Sequence, residues 1–285
     1  MNDQRRVQKL LVVIGTIILL LFPAIPSEVV SAPAEREPAT TNEDKVISAG
    51  TSSANESSLG SQKNSKGLSL SQLLHKYPET FKTKGPRNKV VALTFDDVPD
   101  PRFTPQLLTV LKQYHVKATF FVVGSRAEKH PALVKRMIRE GHALGNHSYD
   151  HPQFVKLKMK DFRTQIIDTE NIIQALAGYK PRLIRPPYGD ISEQQLKWAK
   201  INGYKLVNWN VDSLDWKGLS KAQVRNNILS HAGRGAIILQ HGGGGPSSDL
   251  SGTIQALPEV ISILRKRGYT FVTVPQLIQV SKGKQ

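Results

Sequence analysis

The chain of 285 residues contains no cysteine. Disulfides and thiolate ligands are excluded, so a metal would have to be held by His, Asp, Glu or backbone oxygen. The absence does not place the chain inside a cell, because a domain of this size can bury a core without covalent cross-links. Acidic residues are scarce, at 23 Asp+Glu against 39 Lys+Arg, for a net charge of +16. Residues 1–32 carry +1 and residues 33–66 carry −1, which leaves the whole +16 on residues 67–285. The basic excess therefore belongs to the folded part and favours polyanionic partners, such as an anionic cell wall. Aromatics amount to 7%, and no Lys/Arg run is interleaved with them. No nucleic-acid partner is expected. The longest apolar stretch, Leu10 to Phe22, has thirteen residues, fewer than the roughly 20 of a spanning helix.

That stretch follows Arg5, Arg6 and Lys9 and precedes Val30-Ser31-Ala32. A positive leader, an apolar run and small residues predict a signal peptide over 1–32. Pro33 disfavours cleavage after Ala32, so membrane anchoring through the N-terminus stays open. Both readings put the domain outside the cytoplasm, secreted or anchored, where the basic charge would favour association with the cell wall. Residues 33–66, rich in Ser, Ala, Asn, Thr and Glu, read as a disordered linker. Residues 67–87 form a lead-in with an amphipathic helix over Leu70–Tyr77. The main folded domain is expected over 88–280, with a tail at 281–285.

Within it, short apolar runs alternate with amphipathic segments. Strands are predicted at Lys89–Phe95, Ala118–Val123, Ala143–Asn146, Leu183–Arg185, Lys205–Asn208, Ala236–Gln240 and Thr270–Val274. Helices are predicted at Thr104–Tyr114, Pro131–Glu140, Lys160–Leu176, Ser192–Asn202, Lys221–His231, Thr253–Arg267 and Pro275–Val280, the first capped by Thr104. Such alternation implies an α/β fold with a parallel sheet.

Polar residues gather at the carboxyl ends of these strands. Asp96 and Asp97 follow the first, His147 and His151 the third, Arg185 closes the fourth, Asp212 and Asp215 lie past the fifth, and His241 follows the sixth. In a barrel of parallel strands those ends share one face. Two carboxylates and two histidines supply three ligands for a divalent cation and one spare carboxylate, the minimal set for metal-assisted hydrolysis. Taken singly, each residue has a plainer reading: a loop acid pair, a surface histidine pair, a turn-forming Asp212, a core Trp216. Asp212 ranks below Asp215 for that reason. His75, His115, His130, His142 and His231 are assigned to structure or solvent. Gly242 to Gly245 lacks the Gly-Lys-Ser/Thr of a phosphate loop and reads as a flexible loop.

Five ordered signatures carry a resemblance: Thr-Phe-Asp-Asp at 94–97, His-Ser-x-x-His at 147–151, Arg-Pro-Pro-Tyr-Gly at 185–189, Asp-x-x-Asp-Trp at 212–216 and Leu-x-His at 239–241. Over residues 88–280 the chain resembles the polysaccharide deacetylases of the NodB-homology type, carbohydrate esterase family four. The resemblance implies a distorted (β/α) barrel of about seven parallel strands and a hydrolase that removes N-acetyl groups from N-acetylglucosamine polymers. It makes Asp97, His147 and His151 the metal triad, suited to Zn2+, with Co2+ or another divalent cation as substitutes. It makes Asp96 the general base, with Arg185 lowering its pKa and fixing its direction. His241 becomes the general acid, supported by Asp215. The Tyr188 N–H becomes an oxyanion donor, and Trp216 and Leu239 wall the acetyl-methyl pocket.

The family usually has Gly before the proline that follows the paired aspartates; here Val98 precedes Pro99. Valine resists positive φ, which predicts a loop that runs differently beside the metal. Basic charge and the export segment favour acetylated cell-wall peptidoglycan over chitin-like oligosaccharide. An O-acetyl esterase on acetylated glycan, or a non-catalytic carbohydrate-binding relative, are the alternatives.

Overall fold

The computed structural model describes residues 67–284. The export segment expected over 1–32 and the linker over 33–66 lie outside the described residues. Among the described residues no helix is long and apolar enough to cross a membrane.

The elements in chain order are α1 (Leu70–Lys76), β1 (Phe81–Lys82), β2 (Val90–Val98), α2 (Thr104–Gln113), β3 (Thr119–Val122), α3 (Gly124–Lys129), α4 (Pro131–Arg139), β4 (Ala143–Asn146), α5 (Met159–Ala177), β5 (Lys180–Pro181), β6 (Leu183–Ile184), α6 (Glu193–Ile201), β7 (Lys205–Val207), β8 (Val211–Asp212), α7 (Lys221–His231), β9 (Ala236–His241), α8 (Ser251–Lys266), β10 (Thr270–Phe271), α9 (Val274–Leu277) and β11 (Gly283–Lys284). One sheet runs β1-β7-β6-β4-β3-β2-β9-β8, with β10 also on β2, and its pairs are parallel. The parallel α/β sheet is the one that the strand–helix alternation predicts, and it forms the half-barrel that agrees with the (β/α) barrel implied by the resemblance. β11 pairs separately and antiparallel with β5.

The central strand explains why the site forms where it does. β2 opens on an unbroken apolar run, Val90 to Leu93, and is buried on both faces, as parallel strands are. Successive side chains alternate. Val91, Leu93 and Phe95 join the large cluster formed with α2 and α8, where Phe95 stacks on Phe120 at 5.3 Å. Ala92 joins a separate cluster with Phe121, Leu183, Val207 and Ile237, and Thr94 and Asp96 follow it on that inner side. On β9 the same alternation sends Ala236 and Ile238 to the large cluster and Ile237 inward. Leu239 and His241 continue the inner row.

The structure departs from the sequence expectation in several places. β2 does not stop at Phe95 but runs through both aspartates to Val98. Thr104 is not the cap of α2 but its first residue, behind Phe103. Its hydroxyl accepts from the Asp100 N–H and donates to the Gly242 carbonyl, both at 2.8 Å. Val98 takes no positive φ; that conformation falls on Asp97, at 63°. Val98 is fully buried in the main cluster. A Cβ added to Gly242 would lie 2.5 Å from Val98 Cγ1, so the valine side chain occupies the space that Gly242 leaves. Val98→Gly should therefore cost about 2–4 kcal/mol of stability in urea unfolding, as large-to-small core changes do. No gain in turnover is expected; a gain would revive the idea of a distorted loop.

Candidate active site

A cavity of about 410 Å³ opens at the carboxyl ends of the strands. Eight of the ten expected site residues line it: Asp96, Asp97, His147, His151, Tyr188, Trp216, Leu239 and His241. The other two, Arg185 and Asp215, stand behind Asp96 and His241 and hold them by hydrogen bonds.

Asp97, His147 and His151 each offer an atom to one point, with these atoms within 4.8 Å of one another. Asp97 Oδ1 lies 3.3 Å from His151 Nε2 and 3.7 Å from His147 Nε2. His147 Nδ1–H donates to the Arg185 carbonyl at 2.8 Å. That fixes the tautomer and leaves the Nε2 lone pair facing Asp97, the arrangement by which metal-ligating histidines are oriented. Burial, then the neighbouring His151, pushes the His147 pKa down to about 3. The ring is neutral at pH 7, as a ligand must be. Two imidazoles and one carboxylate fit a divalent cation of zinc type.

Asp96 points at the same place from the other side of the peptide. Its Oδ1 accepts from Arg185 Nη1 at 2.8 Å, and its Oδ2 lies 3.6 Å from His147 Nε2. Arg185 is fully buried yet fully engaged. It donates to the Val207 carbonyl at 2.9 Å, to Thr94 Oγ1 at 2.8 Å and to the Asn208 carbonyl at 3.4 Å. Its guanidinium also sits 4.0 Å above the Phe121 ring. A buried guanidinium with bonds from all three of its nitrogens gives a buried carboxylate a fixed partner. The net effect on Asp96 differs from the expectation. Burial drives its carboxyl above the ordinary carboxylate range, and Arg185, His241 and His151 offset that only in part. A raised proton affinity suits a base better than a depressed one.

His241 lies directly across the ladder from Asp96 in the β2–β9 register. Asp215 grips it twice, accepting from Nδ1–H at 2.7 Å and from the backbone N–H at 2.8 Å. Thr253 Oγ1 donates to the second Asp215 oxygen at 2.7 Å. Burial opposes the imidazolium, but Asp215 overcomes it, and Asp96 and Asp97 add to it, raising the pKa to about 9. Asp215 itself is held below the carboxylate range, because His241 outweighs its burial.

Tyr188 takes φ 60° and ψ 8°, and its N–H has no protein acceptor among the described residues. Its ring meets His151 edge-on at 4.9 Å and is 65% exposed. Leu239 is buried at the cavity floor, whereas Trp216 is 57% exposed, so the two expected walls differ in kind. Asp212 lines the cavity and also makes the expected turn, accepting from the Leu214 N–H at 2.8 Å. Among the described residues, positive φ at Asp97, Ser148, His151, Tyr188 and Leu214 clusters around this cavity. Backbone held in sparse regions is typical of functional sites.

Sequence reasoning missed Trp209, Thr253 and Thr94. Trp209 lines the cavity and faces Arg185, its ring 5.6 Å from the guanidinium. Thr94 belongs to the first signature, and its inward parity two residues before Asp96 was the available signal. Nothing local marks Thr253, which reaches Asp215 from α8.

Residues 83–207 match the polysaccharide deacetylase family model. Over 213 residues the chain is 49% identical to the peptidoglycan-N-acetylglucosamine deacetylase of Bacillus cereus, covering 74% of this chain and 76% of that protein. It is 41% identical over 203 residues to a peptidoglycan-N-acetylmuramic acid deacetylase of Bacillus subtilis, covering 71% of this chain but only 42% of that protein. The crystal structure of a peptidoglycan N-acetylglucosamine deacetylase bound to 4-naphthalen-1-yl-N-oxidanyl-benzamide superposes with a TM-score of 0.72 at 47% identity, covering 75% of this chain and 98% of that one. With this fold, this arrangement of side chains and these relatives, the chain belongs to the polysaccharide deacetylase family.

Proposed function

We propose that the protein is a metal-dependent hydrolase that removes N-acetyl groups from the amino sugars of cell-wall peptidoglycan. The observation that carries the reading is the pairing of a buried carboxylate, Asp96, with a charged histidine, His241, across one ladder beside a three-ligand cluster. Relatives named for N-acetylglucosamine and for N-acetylmuramic acid both match. N-acetylglucosamine is preferred because the relative with the higher identity carries that name.

Asp97, His147 and His151 would hold the cation, with zinc as the proposed metal. When bound, it supplies Lewis acidity toward the acetyl carbonyl and makes water a stronger acid. Asp96 takes the proton of the water that attacks the acetyl carbon, and Arg185 keeps its carboxylate aimed. The free Tyr188 N–H donates to the oxyanion as it forms. Leu239 shields the methyl group. His241 gives its proton to nitrogen, since an amide anion cannot leave, and Asp215 stabilises the imidazolium until then. Acetate and a free amine result. The net positive charge and the apolar N-terminal stretch support a place outside the membrane, against an anionic wall.

Product analysis tests the reading. Purified protein with zinc should release acetate and equal amounts of new amine from peptidoglycan. Acetate from O-acetylated xylan alone would assign an esterase, and binding without release would assign a non-catalytic relative.

The pH profile follows from His241. The acid must be protonated, and its raised pKa extends that state upward, so kcat/KM should fall as pH rises through about 9. In Asp215→Asn only Asp96 and Asp97 remain to offset burial, and the limb should move down toward the ordinary histidine value of about 6.5. The same shift contributes stability that is fully present below the unfolded value and lost as pH rises through about 9. A basic limb that stays in place in Asp215→Asn would assign the acid elsewhere.

A further inference from the structure

The glycine run after His241 is not the free loop its composition suggests. Arg102, in the turn between β2 and α2, forms a fork with buried Asp100: Nε to Oδ1 at 3.1 Å and Nη2 to Oδ2 at 2.8 Å. The same guanidinium donates to the carbonyls of Gly244 at 3.3 Å, Gly245 at 3.0 Å and Pro246 at 2.9 Å. Arg126, from α3, adds a bond to the Gly244 carbonyl at 2.9 Å. Thr104 holds the Gly242 carbonyl. The run can sit this close only as glycine, since a Cβ on Gly243 would collide with the Asp97 carbonyl oxygen.

Ordering a run of four glycines is entropically costly, and here two arginines, an aspartate and a threonine hold it. The ordered face is turned to the cavity: Gly243, Gly244, Gly245 and Ser248 line it beside His241. In a trans peptide the N–H points opposite to the carbonyl. The Gly243 and Gly245 N–H groups follow carbonyls tied down by Thr104 and Arg102, and they have no protein acceptor among the described residues. Fixed, unused donors beside the acid are suited to the hydroxyl and acetamido oxygens of a saccharide.

We propose that the segment from Gly242 to Ser248 is a preorganised saccharide-binding wall and that Arg102 and Arg126 are positioning residues that set glycan affinity through it. The proposal rests on the deacetylase reading only in taking the ligand to be a glycan.

The test separates binding from turnover. In an Asp96→Asn background, calorimetric titration with the tetramer of N-acetylglucosamine is compared across Arg102→Lys and Arg126→Ala. Lysine keeps the charge but loses the fork, so Kd should rise by about tenfold or more in Arg102→Lys. Arg126→Ala, which loses the Gly244 carbonyl contact and a longer one to Asp100 at 3.4 Å, should raise it by about threefold. With Asp96 intact, KM should rise in the same proportion while kcat changes by less than about threefold, the signature of lost uniform binding. Amide exchange over residues 242–248 should accelerate in both variants.

Faster exchange with Kd and KM unmoved would overturn the proposal, leaving the clamp a brace for the fold. A fall in kcat at constant KM would overturn it too, as would failure of the Asp96→Asn parent to bind the tetramer. If instead the tetramer binds and responds to the clamp but the intact enzyme releases no acetate, the wall stands and the deacetylase reading fails.

Discussion

The Asp96→Asn protein should hold its divalent cation as tightly as the parent and release acetate about a thousandfold more slowly, within the range that general base catalysis supplies. Asparagine keeps the shape and an oxygen for Arg185 Nη1, which now reaches Asp96 Oδ1 at 2.8 Å, but it cannot accept a proton. Asp96 is not among the three groups whose atoms converge on one point, so removing its charge should spare the ion. The substitution has a structural cost, because it leaves a buried guanidinium without its counter-charge. An unpaired buried charge costs about 3–5 kcal/mol at most. The remaining acceptors at Val207, Thr94 and Asn208 moderate that figure. Metal content and turnover measured on the same preparation decide the matter. Loss of the metal would make Asp96 a ligand and move the base elsewhere.

His147→Ala should do the reverse and strip the metal. The imidazole is locked by its bond to the Arg185 carbonyl and presents one lone pair toward Asp97 and His151. Altering the partners that merely orient such a ligand costs about 10–100-fold in affinity, so deleting the ligand should cost more than about 100-fold. Acetate release should fall with it at any zinc concentration the protein tolerates. His241→Ala is the contrast. It removes the same side chain at the end of β9, outside the ligand cluster, and should slow cleavage while zinc still binds. Equal zinc affinity in the parent and His147→Ala would dissolve the proposed triad.

Much of this site was legible because parallel strands bring their carboxyl ends to one face. Asp96, His147, Arg185, Asp215 and His241 lie far apart in sequence, yet each could be placed at or just past the end of an apolar run. Topology did the rest, through the pairing of β2 with β3 and β9. What stayed hidden depends on long-range or conformational facts. The two-residue strands β1, β5 and β8 are too short to show a period, and α3 begins on glycine with no side-chain cap. Val98 was expected to make the loop run differently, but the left-handed residue is its neighbour Asp97, and the valine packs against the space at Gly242. Arg185 was expected to lower the pKa of Asp96, and composition could not show that burial outweighs it. The glycine run looked free because its anchor, Arg102, lies about 140 residues away along the chain.

In the proposed function one cation, gripped by Asp97, His147 and His151, makes this protein cleave acetyl groups from peptidoglycan. The decisive experiment strips the protein of metal and titrates zinc back while counting acetate and new glycan amines. Both products should climb together from near zero and level off at one equivalent of zinc. Full activity in the metal-free protein, or acetate without matching amines, would contradict it.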